Sequence, residues 1–329
     1  MAATDIDGPP PSRMVINLEV SLMRVFVTGA SGWIGSAVVP ELIGAGHQVV
    51  GLARSDASVA ALEAAGAEVH RGSLDDLDGL RAAAAGSDGV IHLAFKHDLA
   101  FSGDFLGAAT ADRRAVETLG DALAGTDRPL VIASGTLGLA PGRVATERDG
   151  HGSDPSVGEV GEGPSARHAT AELVLSMASR GIRSSVVRLA PTNHGQGDNG
   201  FVATLVSIAR DQGASGYIGN GTNRWNAVHR LDSAKLFCLA LEAPAGSTLH
   251  GVAEEGVPIR DIAEVIGRHL DIPVVSISSD DAPGHFTWMA PLLALDAPAS
   301  SALTRELLGW QPTEVGLIED LDQGHYFHQ

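Results

Sequence analysis

Gly29, Gly32 and Gly35 stand at three-residue intervals in the stretch Thr28-Gly29-Ala30-Ser31-Gly32-Trp33-Ile34-Gly35, directly after the apolar run Val25-Phe26-Val27. In that setting Gly29 permits a tight turn, Gly32 lets the backbone approach a pyrophosphate, and Gly35 lets the next helix pack closely on the strand. The N-terminus of that helix then offers free N–H groups to an anion. The chemistry implied is dinucleotide binding, with Thr28, Ser31, Trp33 and Ile34 completing the cradle. The first gap is one residue longer than in the commoner Gly-x-Gly-x-x-Gly fingerprint, so the signal rests on the strand before it and the helix after it.

A second chemical signal closes the next apolar run, which reads Gly51-Leu52-Ala53-Arg54-Ser55. An acid at this place would bind a ribose 2′-hydroxyl, and Gly51–Ser55 has none. Arg54 suits a 2′-phosphate instead, with the Ser55 hydroxyl beside it, which points to NADP. The plainer alternative is that Arg54 is a solvated residue at a strand end.

The elements that must position these residues alternate along the chain. Short β-branched runs at Val25–Thr28, Val49–Leu52, Glu68–His70, Val90–Leu93, Leu130–Ser134 and Ser185–Leu189 have the length and composition of buried strands. Between them lie helical patterns at Ile34–Ala45, Ser58–Ala65, Leu77–Ala85, Asp104–Ala124 and Ser165–Arg180. Strand and helix in alternation predict an α/β fold of Rossmann type, a doubly wound parallel sheet with helices on both faces. Arg148–Gly163 is rich in Gly and acids and predicts a surface loop. After Pro191 the order loosens into Phe201–Asp211, Gly216–Asn220, Asp232–Glu242, Thr248–Val252, Ile259–Leu270 and Val274–Ser278. The expected organisation is a disordered lead-in over 1–22, a nucleotide-binding domain over 23–190, and a smaller substrate-binding lobe over 191–329 partly interleaved with the sheet.

Composition narrows the function classes. A formal charge of −18 without a basic run repels nucleic-acid phosphate and anionic lipid, so neither nucleic acid nor membrane is an expected partner. Cys238 is the only cysteine, which excludes an internal disulfide and fits a reducing, cytoplasmic setting; its apolar neighbours predict a core thiol. The histidines show no helical ligand pairing, so no metal site is expected.

The turn TGASGWIG, the GLARS strand end, Val90-Ile91-His92-Leu93-Ala94, Ala133-Ser134-Gly135-Thr136, Val187-Arg188-Leu189-Ala190-Pro191 and Val228-His229-Arg230-Leu231-Asp232-Ser233-Ala234 together resemble the extended short-chain dehydrogenase/reductase family, of the epimerase/dehydratase kind. The resemblance runs from about residue 24 to the last helix and implies a Rossmann domain, a C-terminal substrate lobe and a homodimer. It further implies that Leu74 faces the adenine, with Ser73 where the family usually has Asp. Leu93 and Ala94 would line the nicotinamide-ribose region, and Ser134 would hydrogen-bond the substrate oxygen. A strand-end serine with an ordinary turn role is the alternative for Ser134.

One departure matters most. The family's Tyr-x-x-x-Lys pair is absent, since the chain has only Tyr217 and Tyr326, and only Lys96 and Lys235. Registering on Glu172 puts Pro164 at the tyrosine and His168 at the lysine; one residue away, Arg167 takes the lysine's place. His168 could hold the ribose or transfer a proton, whereas Arg167 could bind hydroxyls only. Further candidates lie on segments that the family fold brings toward the substrate: Tyr217 for proton transfer, and Lys96, Thr136, Asn193, His194, Arg224 and Trp225 for substrate binding. The expected function is an NADP(H)-dependent oxidoreductase acting on a small carbonyl, enone or imine. A non-catalytic NADP-binding regulator and a redox-neutral isomerase or epimerase are the alternatives.

Overall fold

The computed structural model describes residues 22–150 and 164–328. The predicted lead-in through residue 21, and residues 151–163 of the predicted surface loop, lie outside the described residues.

All six predicted strands form: β1 (Arg24–Thr28), β2 (Gln48–Ala53), β3 (Glu68–Arg71), β4 (Gly89–His92), β5 (Pro129–Gly135) and β6 (Arg183–Leu189). The remaining strands are β7 (Thr192–His194), β8 (Ser215–Ile218), β9 (Arg224–His229), β10 (Ser247–Gly251), β11 (Glu254–Pro258) and β12 (Val274–Ile277). Seven of these make one sheet in the order β10-β6-β5-β4-β1-β2-β3, every pair parallel. This is a Rossmann sheet. The chain winds outward from β1 through β3, then restarts at β4 on the other side of β1, so the carboxyl ends of β1 and β4 border the crevice where such sheets bind ligands.

The strands are apolar because both faces are covered. On one face Val25, Val27, Ile91, Val131, Val187 and Leu249 pack with Leu42, Ala234 and Phe237, from the helices Gly35–Gly44 and Arg230–Ala240. The other face carries Phe26, Val90, Leu130, Ile132 and Val186 against Val116, Leu119, Val174 and Met177, from Phe105–Leu123 and from Pro164–Ser176 with the 3-10 turn after it. Side-chain oxygens begin several helices: Ser55 accepts from Ser58 N–H, Asp76 from Gly79 N–H and Asp104 from Gly107 N–H.

On the second face the character changes near the carboxyl edge. Residues in register across parallel strands share a face, as do residues two apart. Thr28 pairs with His92, which pairs with Ile132, and two residues further on Ser134 pairs with Arg188, which pairs with His250. Thr28, His92, Ser134, Arg188 and His250 therefore form a polar border on an apolar layer. All five are buried.

The predicted strand at 248–252 forms, and it extends the Rossmann sheet beside β6. A second core gathers around Trp225, roofed by the three-stranded sheet β11-β9-β7 and the pair β12-β8. The helix Ile259–Leu270 turns Ile259, Ile262, Ala263, Val265 and Ile266 inward against it. Cys238 packs at the edge of the first core, half-buried, and burial pushes its thiol up to about 11. It is no nucleophile near neutrality. Among the described residues no helix is long and apolar enough to cross a membrane, and no cluster of His, Cys, Asp and Glu could hold a metal.

Candidate functional site

The glycine turn sits where β1 meets β4. Gly29 has φ +66°, and a Cβ there would lie 2.7 Å from the Ala94 nitrogen, so both conformation and space require glycine. At Gly35 a Cβ would lie 2.1 Å from the Gly29 carbonyl oxygen, so only glycine lets the helix come this close to the turn. Gly32 N–H closes the turn onto Gly29 O at 2.9 Å. Ser31 and Gly32 are exposed. Among the described residues the N–H groups of Trp33 and Ile34 have no hydrogen-bond partner, which leaves them available to an anion at the start of the helix. A glycine cradle at the switch point with free N–H groups fits a dinucleotide pyrophosphate.

Behind the cradle lies a buried chain of polar groups. Ala94 N–H donates to Thr28 Oγ1 at 3.3 Å, Thr28 Oγ1 lies 2.8 Å from His92 Nδ1, and His92 Nε2 lies 3.0 Å from Asp112 Oδ1. A carboxylate only accepts, so Nε2 presents its N–H to Asp112 while Nδ1 faces the Thr28 hydroxyl. The chain ties the end of β1 to the end of β4 and fixes the Ala94 backbone at the crevice. His92 was legible only as part of a motif, and Asp112 was not singled out at all. Its signal was available, because it is a carboxylate on the apolar face of its helix, among Ala108, Ala109, Ala115 and Val116.

The segment after β4 and the helix over β5 complete the site. Arg167 donates to Ala133 O at 3.0 Å and its guanidinium lies 4.6 Å over the Phe95 ring. Burial pulls its pKa below the ordinary value, partly offset by Asp112, yet an arginine keeps its charge. His168 leans the other way, onto the Gly135 backbone and toward Arg188; burial, with Arg188 beside it, pulls its pKa down. Its imidazole is therefore neutral at pH 7, a hydrogen-bond partner and a poor acid. Of the two registers read from the sequence, Arg167 faces the crevice beside β4 and His168 faces the β5–β6 side. Ser134 stands in the strand between the Ala133 and Gly135 backbone groups that these two side chains reach; it is 4% exposed, and among the described residues its Oγ has no hydrogen-bond partner. Pro164 begins the helix.

At the adenosine end Arg54 projects into solvent, 71% exposed. The sequence shows no acid beside it, but the structure brings one: Asp98, on the helix His97–Phe101, lies 3.5 Å away and is 68% exposed. Ser55 is occupied as the cap of the next helix, its Oγ 3.2 Å from Ser58 N. Leu74 is buried against Leu52 and Leu80, and Leu93 is half-buried.

The residues expected to bind substrate are mostly engaged by the fold. Lys96 is held by the Asp75 carboxylate at 2.7 Å. Thr136 Oγ1 lies 3.1 Å from Asn226 Oδ1, joining β5 to β9. Arg224 forms a two-pronged ion pair with Asp296 at 2.9 and 3.1 Å, and Trp225 is a fully buried core residue against Phe201. His194 is fully buried with Nδ1 3.0 Å from Asp320. Asn193 donates to Ser233 Oγ at 2.8 Å, while its Oδ1 is buried without a partner among the described residues. Tyr217 packs under Arg260, 5.6 Å from ring to guanidinium, on the outlying pair β8–β12. The structure thus gathers Ser134, Arg167 and His168 and leaves Tyr217 apart.

A sequence profile of the NAD dependent epimerase/dehydratase family matches residues 25–250. An uncharacterized protein of Schizosaccharomyces pombe is 48% identical over 93% of this chain and 100% of its own length. A 2-alkyl-3-oxoalkanoate reductase of Stenotrophomonas maltophilia is 28% identical over 77% of each chain. Among solved structures, a dTDP-glucose 4,6-dehydratase from Streptomyces venezuelae with NAD bound superposes with a TM-score of 0.69 at 20% identity, covering 92% of this chain and 96% of that one.

Proposed function

The chain belongs to the NAD-dependent epimerase/dehydratase family of extended short-chain dehydrogenases/reductases, and on that premise we propose that it is an NADP(H)-dependent reductase of a small carbonyl, enone or imine. Gly29, Gly32 and Gly35, with the N–H groups of Trp33 and Ile34, would hold the pyrophosphate. Arg54 would hold the 2′-phosphate after exchanging Asp98 for it, and Arg167 would bind the nicotinamide ribose in place of the family's lysine. The cofactor, when bound, supplies or accepts hydride.

The observation that carries this reading is the buried Ser134 hydroxyl, without a hydrogen-bond partner among the described residues, on the strand end whose backbone Arg167 and His168 reach. A buried donor without a partner is costly to a fold, and a substrate oxygen is a partner for it. As negative charge develops on that oxygen, the Ser134 hydroxyl donates to it and the fixed Arg167 cation stabilises it. With no tyrosine here and His168 neutral, this site is better equipped to stabilise an oxyanion than to deliver a proton. That favours conjugated acceptors, whose enolate is protonated afterwards by water. The same reading includes a cytoplasmic homodimer through the helices Phe105–Leu123 and Pro164–Ser176.

The test is fluorescence titration with NADPH and NADH, followed by NADPH oxidation against aldehydes, ketones, enones and imines. NADPH-preferring binding with turnover, fastest on enones, is the expected result. Tight NADPH binding without turnover across the panel would make the protein a binding-only regulator, and a preference for NADH would remove the role given to Arg54.

A further inference from the structure

Arg230 opens the helix Arg230–Ala240 and is half-buried. Among the described residues its side chain makes no ion pair and no hydrogen bond. That is uneconomical in a chain of net charge −18, where Arg24, Arg71, Arg81, Arg224 and Arg260 all meet carboxylates. What holds Arg230 is an aromatic face: its guanidinium lies 4.4 Å over the ring of Trp33, a residue of the glycine turn. Stacking fixes the position of a cation without neutralising it.

The platform is itself immobilised. Trp33 Nε1 donates to Asn193 O at 3.0 Å, and Gly197 lies beside the indole, where a Cβ would be in ordinary contact at 3.7 Å. The helices Gly35–Gly44 and Arg230–Ala240 pack side by side in the first core, and the Trp33–Arg230 contact brings their N-termini together. The positive end of the first of these helices, with the free N–H groups of Trp33 and Ile34, thus lies beside an unpaired guanidinium, whereas the first turn of the second already carries Asp232 and is capped by His229. Among the described residues no carboxylate is paired with those N–H groups or with the guanidinium.

We propose that Arg230 is a cofactor-binding residue that reaches the dinucleotide pyrophosphate from the substrate-lobe side, opposite Gly32–Ile34 and with Trp33 as its platform. The proposal rests on the dinucleotide reading of the glycine turn and is independent of the choice between NADP and NAD. Arg54 would act on one cofactor only. Arg230 acts on a group both share, so its removal weakens both alike.

The test is Arg230→Met, which keeps an aliphatic stem on Trp33 and removes the charge, with Arg230→Lys beside it. NADPH and NADH are titrated by fluorescence at several salt concentrations, with thermal melting as the control on folding. The expected result is a Kd raised about tenfold or more for both cofactors, a shallower salt dependence, and partial recovery in Arg230→Lys. A Kd within about twofold of wild type for both, or a loss confined to NADPH, overturns the assignment. So does an unchanged Kd with a raised KM for substrate, which would move the guanidinium to the substrate's side. If Arg230→Met melts early, Arg230→Lys carries the test, and wild-type affinity in a folded Lys variant supports a cation at this place only if added salt weakens it. A wild-type chain that binds neither dinucleotide overturns the cofactor reading itself, and this inference with it.

Discussion

Replacing Ser134 by alanine should move stability and activity in opposite directions. The Ser134 residue is 4% exposed and among the described residues its Oγ has no partner, so the folded apoprotein carries a desolvated hydroxyl that water satisfied in the unfolded chain. An unmade buried hydrogen bond costs about 1–3 kcal/mol. Ser134→Ala removes the hydroxyl with little change in volume, and is expected to leave stability unchanged or raise it by about 1 kcal/mol, roughly 2 °C in Tm for a chain of this size. In turnover the same change removes a donor aimed at the developing oxyanion, at a cost of about 10²–10³ in kcat. Thr136→Val is the control two residues along. Its hydroxyl lies 3.1 Å from Asn226 Oδ1, so the loss should cost about 1 kcal/mol of stability and leave kcat nearly intact. Calorimetry on the apoprotein and steady-state NADPH oxidation measure the two quantities. If Ser134→Ala lost more than about 1 kcal/mol, the hydroxyl would be structural; if its kcat stayed within about threefold of wild type, the oxyanion role would be refuted.

Three further outcomes are expected. Arg54→Ala should weaken NADPH about tenfold while leaving NADH within about twofold, read as the ratio of the two Kd values. Asp98→Asn removes the carboxylate 3.5 Å from Arg54 and should tighten NADPH about twofold at low salt, an effect that vanishes at high salt. His250 is fully buried, with Nδ1 2.8 Å from Ser300 O; burial lowers its pKa to about 4, helped by Arg188 and opposed by Glu147 and Asp149. Its folded pKa lies below its unfolded value, so the unfolded chain takes up the proton first. Stability should therefore be fully present above about pH 6.5 and fall, by up to about 1.4 kcal/mol per pH unit, down to about 4. Urea unfolding across that range should show the slope in the wild type and a flatter one in His250→Asn.

Legibility of the site followed how local each interaction is. The glycine turn and the Arg54 strand end lie within a few residues of the strands that carry them, and the structure places both at the carboxyl edge of the sheet. Trp225 and Arg224 were read as substrate ligands because polar and aromatic residues near a predicted crevice invite it. The structure shows a packed indole and an arginine occupied by Asp296, 72 residues away. The absence of an acid next to Arg54 in sequence did not protect it from Asp98, which arrives on the helix after β4. His92 and Asp112 went unassigned because their bond joins a strand end to a helix 20 residues on. The small strands β7, β9 and β11 were missed because part of their pairing is with one another, across the second core.

The amino-acid sequence by itself determined the six strands, the helices between them, the parallel doubly wound class and the cradle at Gly29–Gly35. Each of these follows from short-range periodicity and from backbone conformations that only glycine reaches easily. Tertiary structure alone decided which side chains remain free for chemistry. It seated Arg167 and turned His168 aside, spent Thr136, Lys96, Arg224 and Trp225 on the fold, and among the described residues left Ser134 Oγ without a hydrogen bond and Arg230 without a carboxylate. A polar side chain is available only when no distant group has claimed it, and in this chain the claiming groups come from up to 160 residues away, as Asn193 does for Trp33.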